Sequence, residues 1–287
     1  MKTKHYLVVG ILGIALAGFI LSGCKKKSDN TATDSDVTAS QDEANASFVL
    51  NDSKTISDGA AQNQPAERVG AICAQITRRD TNNHADSLLD IYFPGNCVSP
   101  DGRTRSGHIL VSYLPGHYFT QGDTIKMGFK NYSVKLLNGY TVGVTGNRTL
   151  INIGKDSLGD QSWSFTANLT LTYSNNGGVA TWNSTRTNTL TKQGNDYFYV
   201  ITGSANGVTR NGISYTINIT SPLYRTAWWI NIKNAYPTCD CIEAGELEIT
   251  RSNKQYPLYL TFTSGVGNCN HTATATINNR TYNITLP

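Results

Sequence analysis

Between Trp163 and Tyr173 the chain alternates without a break: Trp163, Phe165, Ala167, Leu169, Leu171 and Tyr173 occupy one phase, and Ser164, Thr166, Asn168, Thr170 and Thr172 the other. A period of two sustained this long predicts a β-strand with one apolar face and one wet, Thr-rich face. At about 3.3 Å per residue such a strand runs roughly 36 Å, about twice the usual length, which implies an elongated sheet.

Turn chemistry divides the neighbouring pattern into hairpins. Asn138-Gly139 separates Tyr132, Val134 and Leu136 from Tyr140, Val142 and Val144, and Asn211-Gly212 leads into Tyr215, Ile217 and Ile219. Both dipeptides suit the left-handed angles of a tight turn. Asn175-Asn176-Gly177-Gly178 closes the long strand, and Asn278-Asn279 lies between Ala273, Ala275, Ile277 and Tyr282, Ile284, Leu286. No stretch shows a clear 3.6-residue apolar repeat. The expected class is therefore all-β, an elongated antiparallel meander or sandwich of hairpins with few helices.

The N-terminal segment follows a different pattern. Lys2 and Lys4 precede an uncharged apolar run from Tyr6 to Leu21, which ends in Leu21-Ser22-Gly23-Cys24. That arrangement matches a lipoprotein signal peptide over 1–23, with Cys24 as the acylated first residue of the mature chain. The run is short for a membrane span of about 20 residues. Several acyl chains, at about 0.8 kcal/mol per buried methylene, anchor durably without one. The expected location is the cell envelope, most simply the outer membrane, with the periplasmic or surface face left open.

From 24 to 68 the residues are mostly Ser, Thr, Asp, Asn, Ala and Gln, with one short apolar patch at Phe48-Val49-Leu50. Such a composition buries too little surface to offset ordering entropy, so this segment is expected to be a disordered polar tether. The β domain then spans 69–287, with a subdivision considered near 155–160. Residues 25–69 hold 5 Lys+Arg against 8 Asp+Glu, net −3, and residues 70–287 hold 17 against 12, net +5. Because the 17 cations are scattered singly, they are expected on a solvated surface. Nucleic acid, which calls for a basic stripe, is not an expected partner.

Five cysteines follow Cys24, in a compartment where disulfides persist. Each end of the β domain has a cysteine, an apolar strand and then Gly-Asn-Cys, at Gly95-Asn96-Cys97 and Gly267-Asn268-Cys269. Reading these as two related elements predicts bridges Cys73–Cys97 and Cys239–Cys269, each worth roughly 3–4 kcal/mol on the loop-entropy account. Cys241 is left over as a free thiol. A zinc site built from Cys239, Cys241 and the distant His271 lacks the usual paired spacing. No metal and no cofactor are expected.

With those residues in place, the chain from about 70 to 287 resembles a recurrent group of uncharacterised secreted lipoproteins of the Bacteroidota type. The similarity rests on the paired cysteines and Asp101-Gly102-Arg103-Thr104-Arg105-Ser106-Gly107. It continues through Asn183-Ser184-Thr185-Arg186-Thr187, Ile201-Thr202-Gly203-Ser204-Ala205-Asn206-Gly207 and Ser221-Pro222-Leu223. Cys241 and Asn270 depart from the pattern. The resemblance implies a location and an architecture and supplies no catalytic residues.

Local catalytic signatures are missing from 69–287: there is no Gly-x-Ser-x-Gly, Ser-x-x-Lys or His-Glu-x-x-His. The histidines His84, His108, His117 and His271 are too far apart in sequence to imply a site. A carboxylate pair leaves no local signature, so the alternative to a binding or structural module is a polysaccharide-acting enzyme using two of Asp80, Asp86, Asp90, Asp101, Asp123 or Glu243. Arg103 and Arg105 are the candidate contacts for an anion or sugar acid, set against internal pairing with acids on a neighbouring element. Trp163, Trp182 and Trp228-Trp229 could serve a sugar platform, though the adjacent pair would point to opposite faces and core packing explains the rest. Glycan or an envelope protein is the expected partner, beside the membrane reached through the lipid anchor.

Overall fold

The computed structural model describes residues 34–62, 73–80, 87–99, 101–114, 117–137, 139–227, 242–268 and 270–287. The strands are β1 (Gln75–Asp80), β2 (Ser87–Val98), β3 (Thr104–Tyr113), β4 (Thr124–Lys135), β5 (Thr141–Lys155), β6 (Gln161–Tyr173), β7 (Val179–Gln193), β8 (Asp196–Val208), β9 (Ser214–Thr226), β10 (Ala244–Arg251), β11 (Leu258–Thr263), β12 (Thr272–Ile277) and β13 (Arg280–Thr285). They form a 13-stranded antiparallel sheet in which every strand pairs with its sequence neighbours. The expected all-β meander is the architecture found. The 155–160 segment is a turn inside this sheet, joining β5 to β6, which pair from Val142↔Tyr173 to Lys155↔Gln161.

The alternation read from the sequence fixes the two faces. Along β6 the residues Trp163, Phe165, Ala167, Leu169, Leu171 and Tyr173 are buried, while Thr166, Asn168 and Thr172 are exposed. Bulges bend the sheet so that its apolar face is concave. At Gly146 (φ 115°) and Gly203 (φ 123°) a Cβ would lie 2.0 Å from the Asn168 carbonyl oxygen and 2.3 Å from that of Thr185. Only glycine permits both the angle and the approach. The sheet curls far enough that Arg103, beside β3, donates to the Pro287 oxygen beyond β13 at 3.0 Å.

Inside the curl lies the helix α1 (Asp34–Ala61, 28 residues), where the sequence had predicted a disordered tether. It touches β2, β3, β7, β10 and β13, and from Asp42 to Ala60 every residue is buried. Its apolar residues fall on three separate lines, Val37/Ala44/Phe48, Ala39/Ala46/Leu50 and Val49/Ile56/Ala60, all buried. A helix walled on every side needs apolar positions all round, and spreading few of them over three faces erases the single stripe by which helices are recognised. Alone, a helix of this composition would be marginal in water. Its order comes from the wall.

The first expected disulfide is present, Cys73–Cys97 with Cα atoms 5.7 Å apart. The second, Cys239–Cys269, and the leftover Cys241 lie outside the described residues, as do residues 1–33 with Cys24. Among the described residues no helix is long and apolar enough to cross a membrane.

Candidate functional site

The inner wall is built from residues in the inward phase of each strand, and that phase is not wholly apolar. Arg105 shares it with Ile109 and Val111, Arg148 with Val144 and Leu150, Arg186 with Trp182, and Arg251 with Leu247 and Ile249. With Arg103 and Arg225, these six arginines are buried to 3 % exposure or less. Arg148, Arg186, Arg225 and Arg251 are among the cations expected on a solvated surface, whereas Arg103 and Arg105 carry the alternative of internal pairing; the meander collects all six on one concave face. Isolated buried charges of this kind are too costly to stand without partners.

Most of the partners are on α1. Arg105 donates to Asp52 through Nε (3.0 Å) and Nη2 (2.7 Å), and to Asp101 through Nη1 (3.2 Å) and Nη2 (2.6 Å). Arg103 pairs with Asp101 at 3.0 Å, and its guanidinium lies 4.3 Å from the Phe48 ring centroid. Arg186 donates to Glu43 and, at 2.9 Å, to Ser47 Oγ, while Trp182 Nε1 donates to the other Glu43 oxygen at 2.6 Å. At the helix start, the Arg210 backbone N–H donates to Asp42 at 2.9 Å and its side chain to Gln41 at 2.7 Å. Near the helix end, Tyr118 donates to Asp58 at 2.9 Å, and Arg78 donates to the Ala60 carbonyl. That last contact places a cation at the negative end of a helix with no basic residue in its own last turn.

Electrostatics follow from this arrangement. Burial would raise the Asp101 carboxyl, but hydrogen bonding from Arg105 and the charges of Arg105 and Arg103 override it and hold the group below its ordinary value. Asp42 is pushed up, because burial outweighs the attraction of Arg210. Arg148 is lowered to about 10 by burial, with Arg225 adding repulsion and Asp58 opposing it. Arg148 contributes one hydrogen bond, 3.1 Å from Nη1 to the Leu50 carbonyl, and stacks 4.4 Å from the centroid of Phe165.

The candidate anion contacts Arg103 and Arg105 thus hold the chain's own carboxylates within the wall. The candidate carboxylates are dispersed. Asp90 bonds His108 Nδ1 at 2.7 Å, Asp123 bonds His117 Nδ1 at 3.1 Å, and Asp101 is locked by the two arginines. Buried Glu243 accepts from the backbone of Thr226 (3.2 Å) and Gly267 (2.7 Å), and burial raises its carboxyl. Asp80 closes β1, and Asp86 and His84 lie outside the described residues, as do Trp228 and Trp229. Trp163 and Trp182 are buried in the inner wall, which removes them from any outer platform. Among the described residues no three or more His, Cys, Asp or Glu converge as a metal site would require.

Outside, the wet face carries its own order. Asn147, Asn168, Asn183 and Asn206 stand in register across β5 to β8, with Thr149, Thr166, Thr185 and Ser204 in the next row. Within these rows is a shallow hollow of about 280 Å³ bordered by Thr166, Asn168, Asn183, Thr185, Ser204 and Asn206. It presents amides and hydroxyls and no ionisable group. Glu43, Asp52, Arg148 and Arg186 were not singled out from sequence; an arginine interrupting the apolar phase of a strand was the available signal. No protein-family profile, no curated protein and no solved structure matches the chain.

Proposed function

We propose that this chain is a cell-envelope lipoprotein, acylated at Cys24, whose β domain serves as a binding or structural module at the outer membrane. The observation that carries the reading is the Leu21-Ser22-Gly23-Cys24 sequence closing an apolar run behind Lys2 and Lys4. The surface supports a binding or structural role over hydrolysis. The outer hollow offers neutral donors and acceptors suited to a polyhydroxylated ligand such as envelope glycan, whereas Asp101 and Glu243 are buried among fixed partners. Glycosidases instead need two carboxyl groups about 5–10 Å apart and open to a sugar.

Two measurements test this. Fatty-acid labelling should be present in the full chain and absent from Cys24→Ser; equal labelling or equal detergent partitioning refutes the anchor. A glycan array probed with residues 25–287 should show saturable binding that Asn168→Ala and Asn183→Ala together weaken at least tenfold. Cleavage of a polymer, abolished by an Asp→Asn change, would establish the enzyme alternative instead.

A further inference from the structure

We infer that the end of the sheet at which α1 begins is held against the bilayer, so that the β domain stands in one orientation on the membrane surface. The inference extends the acylation reading and rests on it for the anchor. Its own basis is the seat of α1.

The direction of α1 inside the wall is fixed at both ends. Thr38 Oγ1 accepts from Asn211 Nδ2 at 3.2 Å, and Gln41 and Asp42 bind Arg210, so the helix starts at the turn joining β8 to β9. Twenty residues on, Asp58 meets Tyr118 between β3 and β4, at the opposite end. In a meander every second turn lies at the same end. The entry end is therefore made of turns 99–103, 136–140, 174–178, 209–213, 252–257 and 278–279, and the turn at 156–160 belongs to the far end.

Lengths then decide which end faces the lipid. The 28 residues of α1 extend about 42 Å at 1.5 Å each, and run the height of the wall. Nine residues lie between Cys24 and Asp34, and the ten chain steps they span reach about 35 Å when fully extended. To present the far end to the membrane, that link would have to climb the outside of a wall about as tall as its own maximum reach and then turn over the rim, which it cannot span. Had residues 24–68 been a free tether, either end could face the lipid. By taking 34–61 into the fold, the wall removes most of that freedom.

The chemistry of the entry end fits an anionic headgroup layer. Lys135, Lys254 and Arg280 are exposed there, and the acid among these turns, Asp101, is 7 % exposed and ion-paired. Asp34 and Asp36 open α1 at this end, and Lys25, Lys26 and Lys27 lie between them and the anchor. Basic residues close to the acyl site add attraction to an anionic surface within a Debye length.

The test uses the acylated full chain in vesicles of phosphatidylethanolamine and phosphatidylglycerol with an energy-transfer acceptor on a fraction of the headgroups. A fluorescent amino acid replaces Asn253, in the entry-end turn between β10 and β11, or Leu158, which is 85 % exposed at the far end. Transfer from position 253 is expected to be at least twofold more efficient than from 158. Inserting about 40 Gly/Ser residues between Lys27 and Asp34 should bring the two values together. Equal transfer in the parent chain, or stronger transfer from 158, overturns the orientation while leaving acylation intact. An asymmetry that survives the long insert overturns the short link as its cause. Absence of fatty acid on the same sample overturns the anchor itself, and with it both readings.

Discussion

The outer face of the sheet and the helix inside it are built from nearly the same residues and live in opposite environments. Thr166, Asn168, Thr172 and Thr185 on the strands are exposed, whereas Thr38, Asn45, Ser47, Asn51 and Ser53 on α1 are buried. Polar composition therefore does not decide exposure here; the supply of partners does. The helix carries six acids and one lysine, and the wall around it supplies arginines. The rows of Asn and Thr outside have water.

Removing the helix is the most severe way to test this. A fragment such as 65–287 lacks α1 and leaves Arg105 and Arg186 without Asp52 and Glu43, along with the apolar wall they interrupt. Uncompensated buried charges cost several kcal/mol each, comparable with the whole stability of a domain. The expected result is loss of the cooperative thermal transition by circular dichroism, while 30–287 keeps it. A fragment 65–287 that melts within a few degrees of the longer chain would show that α1 is only a guest in the wall.

Breaking one pair should come next in size. Arg105→Met leaves Asp52 and Asp101 facing each other without their shared cation, and removing one member of a buried pair costs about 3–5 kcal/mol. For a chain of this size about 2–4 °C is lost per kcal/mol, so a fall in Tm of about 6–20 °C is expected. Asp52→Leu combined with Arg105→Met should recover part of that loss, because no charge is then left facing an empty partner. If the double variant is as unstable as the sum of the two single ones, the network is not what joins helix to wall.

The wall was legible in the sequence and its content was not. Alternation such as Trp163–Tyr173 and turns such as Asn211-Gly212 specify strands and hairpins through local geometry, and the meander needs little else. The helix failed every local test, since its apolar residues point in three directions and its acids suggest solvent. What could have exposed it was non-local: net −3 before the domain against net +5 within it, with arginines at 148 and 186 in the inward phase of strands. Arg103 and Arg105 are visible as a pair, but Asp52, the α1 acid that Arg105 binds, lies 53 residues away.

Acid should separate the two regions more gently. The Asp101 carboxyl is held below its ordinary 3.8 by Arg105 and Arg103 against the opposing effect of burial. Its stabilising contribution is complete above that ordinary value and is lost as pH falls through the lowered folded one. The gap in Tm between the parent chain and Asp101→Asn should therefore be widest near pH 6–7 and close toward pH 2–3. A gap that grows on acidification would mean the carboxyl is raised in the fold. Variants at exposed Thr166 should give a flat difference over the same range.

Two asparagines refine the comparison to single side chains. Asn188 is fully buried on the inward phase of β7, and neither amide atom has a hydrogen-bond partner among the described residues. Asn168 is exposed on the outer face of β6, in register with Asn147 and Asn183. A buried, unsatisfied amide costs about 1–3 kcal/mol, and an apolar side chain of similar shape removes that cost. Asn188→Leu should thus raise Tm by a few degrees, the sign opposite to that of nearly every other core change. Asn168→Ala should move stability by no more than about 0.5 kcal/mol, as expected of a solvated position without a special role. Should Asn188→Leu destabilise the chain as Arg105→Met does, the inner wall uses that amide for a partner of its own. Polarity inside the sheet would then be matched residue by residue, and the contrast between its two faces would be complete.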